Sequence, residues 1–199
     1  VGTNIAGVNT IAVSDTGAGH NFTFTKMASG IAYQLGTSAD LNYKGTLDVS
    51  LADETGAADT VTISLVDIGG DNNIDAAIKV SSAIETLAIS QATNLTSTND
   101  DVQLNVSSAN AAKITLTGGV STEVVDLTNG GSNKLSTSTK TVDASSFSGI
   151  LKATASDTDT SFSVKGAVDD NITGGAGNDT VTVTSLGTTA AHYDGGAGT

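Results

Sequence analysis

Apolar residues in this chain alternate with polar ones inside short runs, and the runs return at short, even intervals. Phe22-Thr23-Phe24-Thr25 and Thr62-Ile63-Ser64-Leu65 carry the period of two that puts one strand face in a core and the other in water. In the first third this pattern predicts strands over Asn9–Ser14, Asn21–Lys26, Ile31–Leu35, Leu41–Leu51 and Thr60–Val66. Stretches rich in Gly, Ser or Asp separate them: Asp15–Gly19, Gly36–Ser38 and Asp53–Asp59. Ile74–Ile89 reads two ways. Ile74, Ala77, Ile78, Ile84 and Leu87 would share one helical face. The β-branched content and the strands on either side favour two strands, Ile78–Val80 and Thr86–Ile89.

From Val102 a ladder sets in: Val102–Val106, Ile114–Leu116, Val125–Leu127, Leu135, Val142, Ile150-Leu151, Phe162–Val164, Ile172 and Val181–Val183, spaced by about nine to twelve residues. Short, evenly spaced strands without crossover helices suit a sandwich or a solenoid. A sandwich ordinarily brings hairpin dipeptides, large aromatic core residues and Pro. Here the core residues are aliphatic and the runs are very short, so the prediction is an all-β chain folded as a right-handed parallel β-solenoid or β-roll. At ~4.8 Å per rung, roughly ten coils would make a rod on the order of 50 Å long. The chain divides into a β-rich stretch at 1–66, a solenoid at 67–164, and a third stretch at 165–199.

Composition supports a thin core. The 199 residues include no Cys, Pro, Trp or Arg, and only 4% are aromatic. The net charge of −13 comes from 18 Asp and 3 Glu against 8 Lys. Asp favours turns and short-reach metal sites, whereas Glu favours helices. A chain with no basic patch is not expected to bind nucleic acid. No apolar run approaches the length of a membrane span, and no charged and apolar leader is visible in these residues. Without Cys there are no disulfides, which suits the cytosol and also large bacterial surface proteins stabilised by calcium. The chain starts at Val1 and stops inside a motif, so it is expected to be a piece of a longer one.

That motif is the densest chemistry in the sequence. Gly174-Gly175-Ala176-Gly177-Asn178-Asp179-Thr180-Val181-Thr182 fits the nonapeptide G-G-x-G-x-D-x-U-x, with U apolar, at every specified position. Glycines allow a tight turn whose backbone carbonyls face a cation, and Asp179 adds a hard anionic oxygen suited to Ca²⁺. Lys165–Thr173 is a degraded copy in the same phase, with Gly166, Asp170 and Ile172 at the matching positions. Asp194-Gly195-Gly196-Ala197-Gly198-Thr199 opens another. Gly174 and Gly195 are 21 residues apart, so that coil carries three residues more than two nonapeptides. The competing reading is a Gly-Asn-Asp hairpin turn between ordinary strands. A second loop, Asp67–Asp75, sets Asp67, Asp71 and Asp75 around Gly69-Gly70. It reads as a solvated turn, with a second Ca²⁺ as the alternative.

Three phrases together resemble the RTX-type surface-layer (S-layer) proteins of Gram-negative bacteria, of the Caulobacter kind. They are the nonapeptide, Ile84-Glu85-Thr86-Leu87-Ala88-Ile89, and Val142-Asp143-Ala144-Ser145-Ser146-Phe147-Ser148-Gly149. The resemblance covers roughly residues 45 to 199. It implies type I secretion without a cleaved signal, assembly with copies of itself into a two-dimensional lattice on the cell surface, and dependence on Ca²⁺. It assigns calcium to the carbonyls of Gly174, Gly175, Ala176 and Gly177 and the carboxylate of Asp179. Asp170 and, in the next copy, Gly196 and Gly198 match less completely. The family's lipopolysaccharide-anchoring domain and C-terminal secretion segment are not found in these residues, so lattice function is expected of the parent protein. The alternative is a stalk or ligand-binding segment of a calcium-dependent RTX adhesin or a viral fibre.

An enzyme is not expected. The two histidines, His20 and His192, are far apart in Gly-rich turn contexts, and no Arg can serve as a base. The acidic pairs Asp100-Asp101, Asp157/Asp159 and Asp169-Asp170 read as turn or calcium residues. Asn21, Asn94, Asn105 and Asn171 each open an N-x-S/T triplet, as chance allows in a chain this rich in Asn and Thr.

Overall fold

The computed structural model describes residues 7–13, 19–36, 43–66, 74–92, 101–166, 169–185 and 191–198. Among them run sixteen strands and no helix. They are β1 (Thr10–Val13), β2 (Phe22–Met27), β3 (Ala32–Leu35), β4 (Lys44–Leu51), β5 (Thr60–Leu65) and β6 (Asp75–Val80). Next come β7 (Thr86–Gln91), β8 (Asp101–Asn105), β9 (Lys113–Gly118), β10 (Val124–Asp126) and β11 (Thr141–Phe147). Last are β12 (Ile150–Thr154), β13 (Ser161–Val164), β14 (Asn171–Thr173), β15 (Thr180–Val183) and β16 (His192–Asp194).

Odd-numbered strands form one eight-stranded sheet and even-numbered strands the other, each in sequence order. Every pairing is parallel. The chain therefore climbs as a parallel β-solenoid. One coil is a strand in each sheet and two turns, and the core lies between the sheets. Alternation explains why these residues make it. In β5, Val61, Ile63 and Leu65 are buried while Thr60, Thr62 and Ser64 face outward. Register then stacks like on like: Val61, Leu87, Ile114, Val142, Phe162 and Val181 form one apolar column through six rungs. The same sheets run through all three stretches, starting at β1.

An apolar run every nine to twelve residues marks half a coil, one strand in one of the two sheets. The structure corrects the predicted ladder in three places. Eight rungs are described, and seven steps of ~4.8 Å give ~34 Å rather than 50 Å. Leu135 is buried but lies in the loop between β10 and β11, its N–H bonded to the Thr154 carbonyl at 2.9 Å. β16 escaped notice because Tyr193 is its only large apolar residue. The doubtful Ile74–Ile89 stretch forms strands β6 and β7, as favoured.

Coils lengthen at first and then shorten toward the C-terminus. Thr10 pairs with Ala32, 22 residues on, and Lys44 with Asp75, 31 residues on. Lys152 pairs with Asn171, and Ser161 with Thr180, each 19 residues on. The coils from β12 to β15 thus approach the length of two nonapeptides, leaving connections of only six residues at 155–160, 165–170 and 174–179.

Candidate calcium-binding turns

Two columns of turns flank the sheets. One joins each even strand to the next odd strand and contains residues 155–160, 174–179 and 195–198. Here the backbones stack directly. Gly174 N–H donates to the Asp194 carbonyl at 2.7 Å, and Ala197 N–H to the Gly175 carbonyl at 2.9 Å. A Cβ on Gly175 would lie 1.6 Å from the Ser156 carbonyl oxygen, and one on Gly177 would lie 2.5 Å from the Asp159 nitrogen. On Gly196 it would meet the Gly175 oxygen at 2.3 Å, and on Gly198 the Gly177 oxygen at 1.8 Å. Gly175, Gly177, Gly196 and Gly198 are thus required by turn-on-turn contact. The two Gly-Gly-Ala-Gly segments stack residue on residue although 21 residues separate them, because Ile172 pairs with Tyr193. The extra residues fall between β15 and β16, outside the stacked turns.

Asp179 closes its turn. Its Oδ2 accepts the Gly175 N–H at 2.7 Å and its Oδ1 the Thr160 N–H at 2.9 Å, one coil back. Asp170 does the equivalent in the opposite column, where its Oδ1 accepts the Leu151 N–H at 2.8 Å. In both cases the donor lies 19 residues earlier. Successive nonapeptides therefore occupy alternate sides of the solenoid, and β14 separates Asp170 from the Gly174–Asp179 turn. Asp170 is buried, at 2% exposure. Tyr193 lies beside it. Burial, then the Asp170 charge and hydrogen bond, push the Tyr193 hydroxyl pKa up. Neighbouring acidic residues differ: Asp159 Oδ1 accepts the Asn178 N–H at 2.9 Å, and Asp157 forms an exposed ion pair with Lys134 at 2.7 Å.

The donor set suits a hard cation held mainly by backbone. Among the described residues no three His, Cys, Asp or Glu side chains converge. Ca²⁺ accepts carbonyl oxygens as well as carboxylates, and each Asp179 oxygen retains acceptor capacity beyond the one N–H it receives. Asp67 and Asp71 lie outside the described residues. Asp75 opens β6, flanked in register by Lys44 and Gln103. His20 precedes β2, while His192 opens β16 beside Asn171.

A second polar feature escaped the sequence reading. Asp126 faces outward from its sheet, yet it is only 6% exposed because the loop after β10 folds over it. Its Oδ1 accepts the Thr128 N–H at 2.7 Å and the Thr128 hydroxyl at 2.5 Å, and its Oδ2 accepts the Gly130 N–H at 3.1 Å. Asn129, Gly130 and Gly131 all adopt left-handed backbone, at φ of 50°, 71° and 79°. The D-x-T followed by N-G-G was the available signal, since an Asx turn running into glycines marks a tied loop. Comparison of the chain with protein-family models, with curated proteins and with solved structures finds no match.

Proposed function

We propose that this chain is a calcium-stabilised structural segment of a self-assembling surface layer, exported to the outside of a bacterial cell. The observation that carries the reading is the stacked glycine turn closed by Asp179, repeated in phase by Asp170 on the other side. Ca²⁺ would be held by carbonyls of Gly174–Gly177 with the Asp179 carboxylate, and by those of Gly196 and Gly198 from the coil below. Its chemistry there is charge neutralisation and cross-linking of coils. At −13 the chain repels its own copies, and each bound ion removes two negative charges. Binding to the folded state alone also stabilises it, by about 2.7 kcal/mol when free Ca²⁺ is a hundred times Kd.

The test compares CaCl₂ with NaCl at matched ionic strength, following circular dichroism and light scattering of the parent protein. Ca²⁺ is expected to order residues 165–199 and drive sheet assembly, whereas NaCl only screens charge. Equal responses to the two salts would sink the reading. In calorimetry Asp179→Ala is expected to weaken Ca²⁺ binding far more than Asp157→Ala, because Asp157 is engaged with Lys134. A second reading, a ligand-binding segment of a calcium-dependent adhesin, is favoured by one observation: the polar cleft under the loop after β10.

A further inference from the structure

The loop that covers Asp126 overhangs a concave strip of the even-numbered sheet. The resulting cleft has a volume of about 470 Å³ and is lined by Gln103, Lys152, Thr154, Asn171 and Thr173, with Asp126 and the loop itself at its edge. That volume lies within the ~300–1,000 Å³ typical of small-molecule sites. Its floor is set by strand register. Gln103, Asp126, Lys152 and Asn171 stand side by side on β8, β10, β12 and β14, a row about 14 Å long at ~4.8 Å per step.

Three of these four groups keep their hydrogen-bonding capacity. The side chains of Gln103, Lys152 and Asn171 form no hydrogen bond or ion pair among the described residues. Asp126 is instead committed to the loop it ties down, which fixes the wall without filling the cleft. The lining contains no aromatic or large aliphatic side chain. Its formal charges, Lys152 and Asp126, cancel. Primary amides present a donor and an acceptor each, hydroxyls present both, and an ammonium presents three donors. A floor of that kind complements a ligand that is itself neutral and dense in hydroxyl groups. It offers nothing to a hydrophobic ligand, and its lining carries no net positive charge for an anion.

We infer that the cleft binds a neutral saccharide unit, free or within a glycan, with Gln103, Lys152 and Asn171 as its hydrogen-bonding floor. The inference does not rest on the calcium reading. The cleft lies on a sheet face; Asn171 and Thr173 adjoin Asp170 and Gly174 in the chain, but the lining contains none of the candidate calcium residues, so the calcium test can fail without touching it.

The experiment is titration calorimetry of the full chain. The probes are methyl α-glucoside, methyl α-mannoside, methyl β-galactoside, N-acetylglucosamine and dextran, with sodium acetate and sodium phosphate as anionic controls. At least one saccharide is expected to bind saturably with millimolar Kd. Gln103→Ala and Asn171→Ala should each weaken it roughly three- to tenfold. Lys79→Ala, on the same face but outside the cleft, should leave it unchanged, and circular dichroism checks that every variant folds. Saturation by a glycoside or by dextran bears the inference out, and the tighter of the two tells a free sugar from a unit inside a chain. Three results would overturn it: no saturable heat with any saccharide, binding indifferent to both amide variants, or tighter Lys152-dependent binding of acetate or phosphate.

Discussion

At Gly175 the missing side chain is a packing requirement, since a Cβ there would sit 1.6 Å from the Ser156 oxygen. At Gly195 nothing lies within 4 Å. Gly175→Ala should therefore cost ~1–3 kcal/mol, the usual penalty of overpacking, while Gly195→Ala should change the urea midpoint little. Equal effects would show that the turns do not stack as described. The two glycines look alike in the sequence, because the motif gives their spacing and not the direction of the neighbouring coil. Tyr33 offers a second test. It is 1% exposed, and its hydroxyl has no hydrogen-bond partner among the described residues. Burial raises its pKa from 10.0 to about 12. The folded state thus holds the phenol proton more tightly than the unfolded chain. This contribution is whole below pH 10 and drains away as pH rises toward 12. Tyr33→Phe is expected to be neutral or slightly stabilising at pH 7. It should also remove ~2–3 kcal/mol of stability loss across the alkaline window, read from denaturant titrations at stepped pH. A variant that loses stability as steeply as the parent would refute the assignment to Tyr33.

The elements were more legible than their pairing. Strand after strand followed from alternation, but an apolar run does not say which of two sheets it joins. The phrase Val142-Asp143-Ala144-Ser145-Ser146-Phe147 gains a physical meaning only in the structure. Val142 and Ala144 point inward, and then a register shift between Asp143 and Ser146 brings Phe147 inward instead of Ser146. Asp143 stabilises the irregularity by accepting the Ser145 N–H and hydroxyl, at 3.3 Å and 2.7 Å. Those bonds, the Ser145 hydroxyl first, hold its carboxyl below the usual carboxylate range. Phe147 then lies between two glycines. A Cβ on Gly119 would come within 2.6 Å of one edge of its ring, and a Cβ on Gly149 within 2.6 Å of another. Gly119 also holds φ at 71°. Gly119→Ala should displace the ring and lower stability by ~1–3 kcal/mol. Near-ultraviolet or ¹⁹F signals from a labelled Phe147 should report the shift, and an unmoved ring would contradict the clamp. The candidate calcium turn was legible because its pattern is contiguous. The cleft was not, because Gln103, Lys152 and Asn171 lie between about twenty and seventy residues apart and meet only through register.

The whole molecule is a stack in which each rung touches chiefly the rungs above and below, so stability accumulates from neighbour to neighbour. Two of the three glutamates bond from rung to rung: Glu54 Oε2 accepts the Ser81 hydroxyl at 2.8 Å and Glu85 Oε2 accepts the Asp59 N–H at 2.7 Å, while Glu123 is fully buried. The shortening of the coils toward the C-terminus has a consequence for how such a chain can change length. Thr154 and Thr173 hold the same place on successive rungs. Residues 155–173 are therefore one complete lap, and excising them joins Thr154 to Gly174 with every later strand still on its own sheet. Excising only 165–173 would send β15 to the wrong sheet. The 19-residue deletion is expected to keep the β-type circular dichroism and a cooperative unfolding transition. The nine-residue deletion should lose the transition's C-terminal contribution. If both behaved alike, the lap would not be the unit. Length in this molecule is thus counted in laps: duplication or loss of genetic material is silent to the fold when it comes in whole turns of the spiral, and disruptive at any half turn.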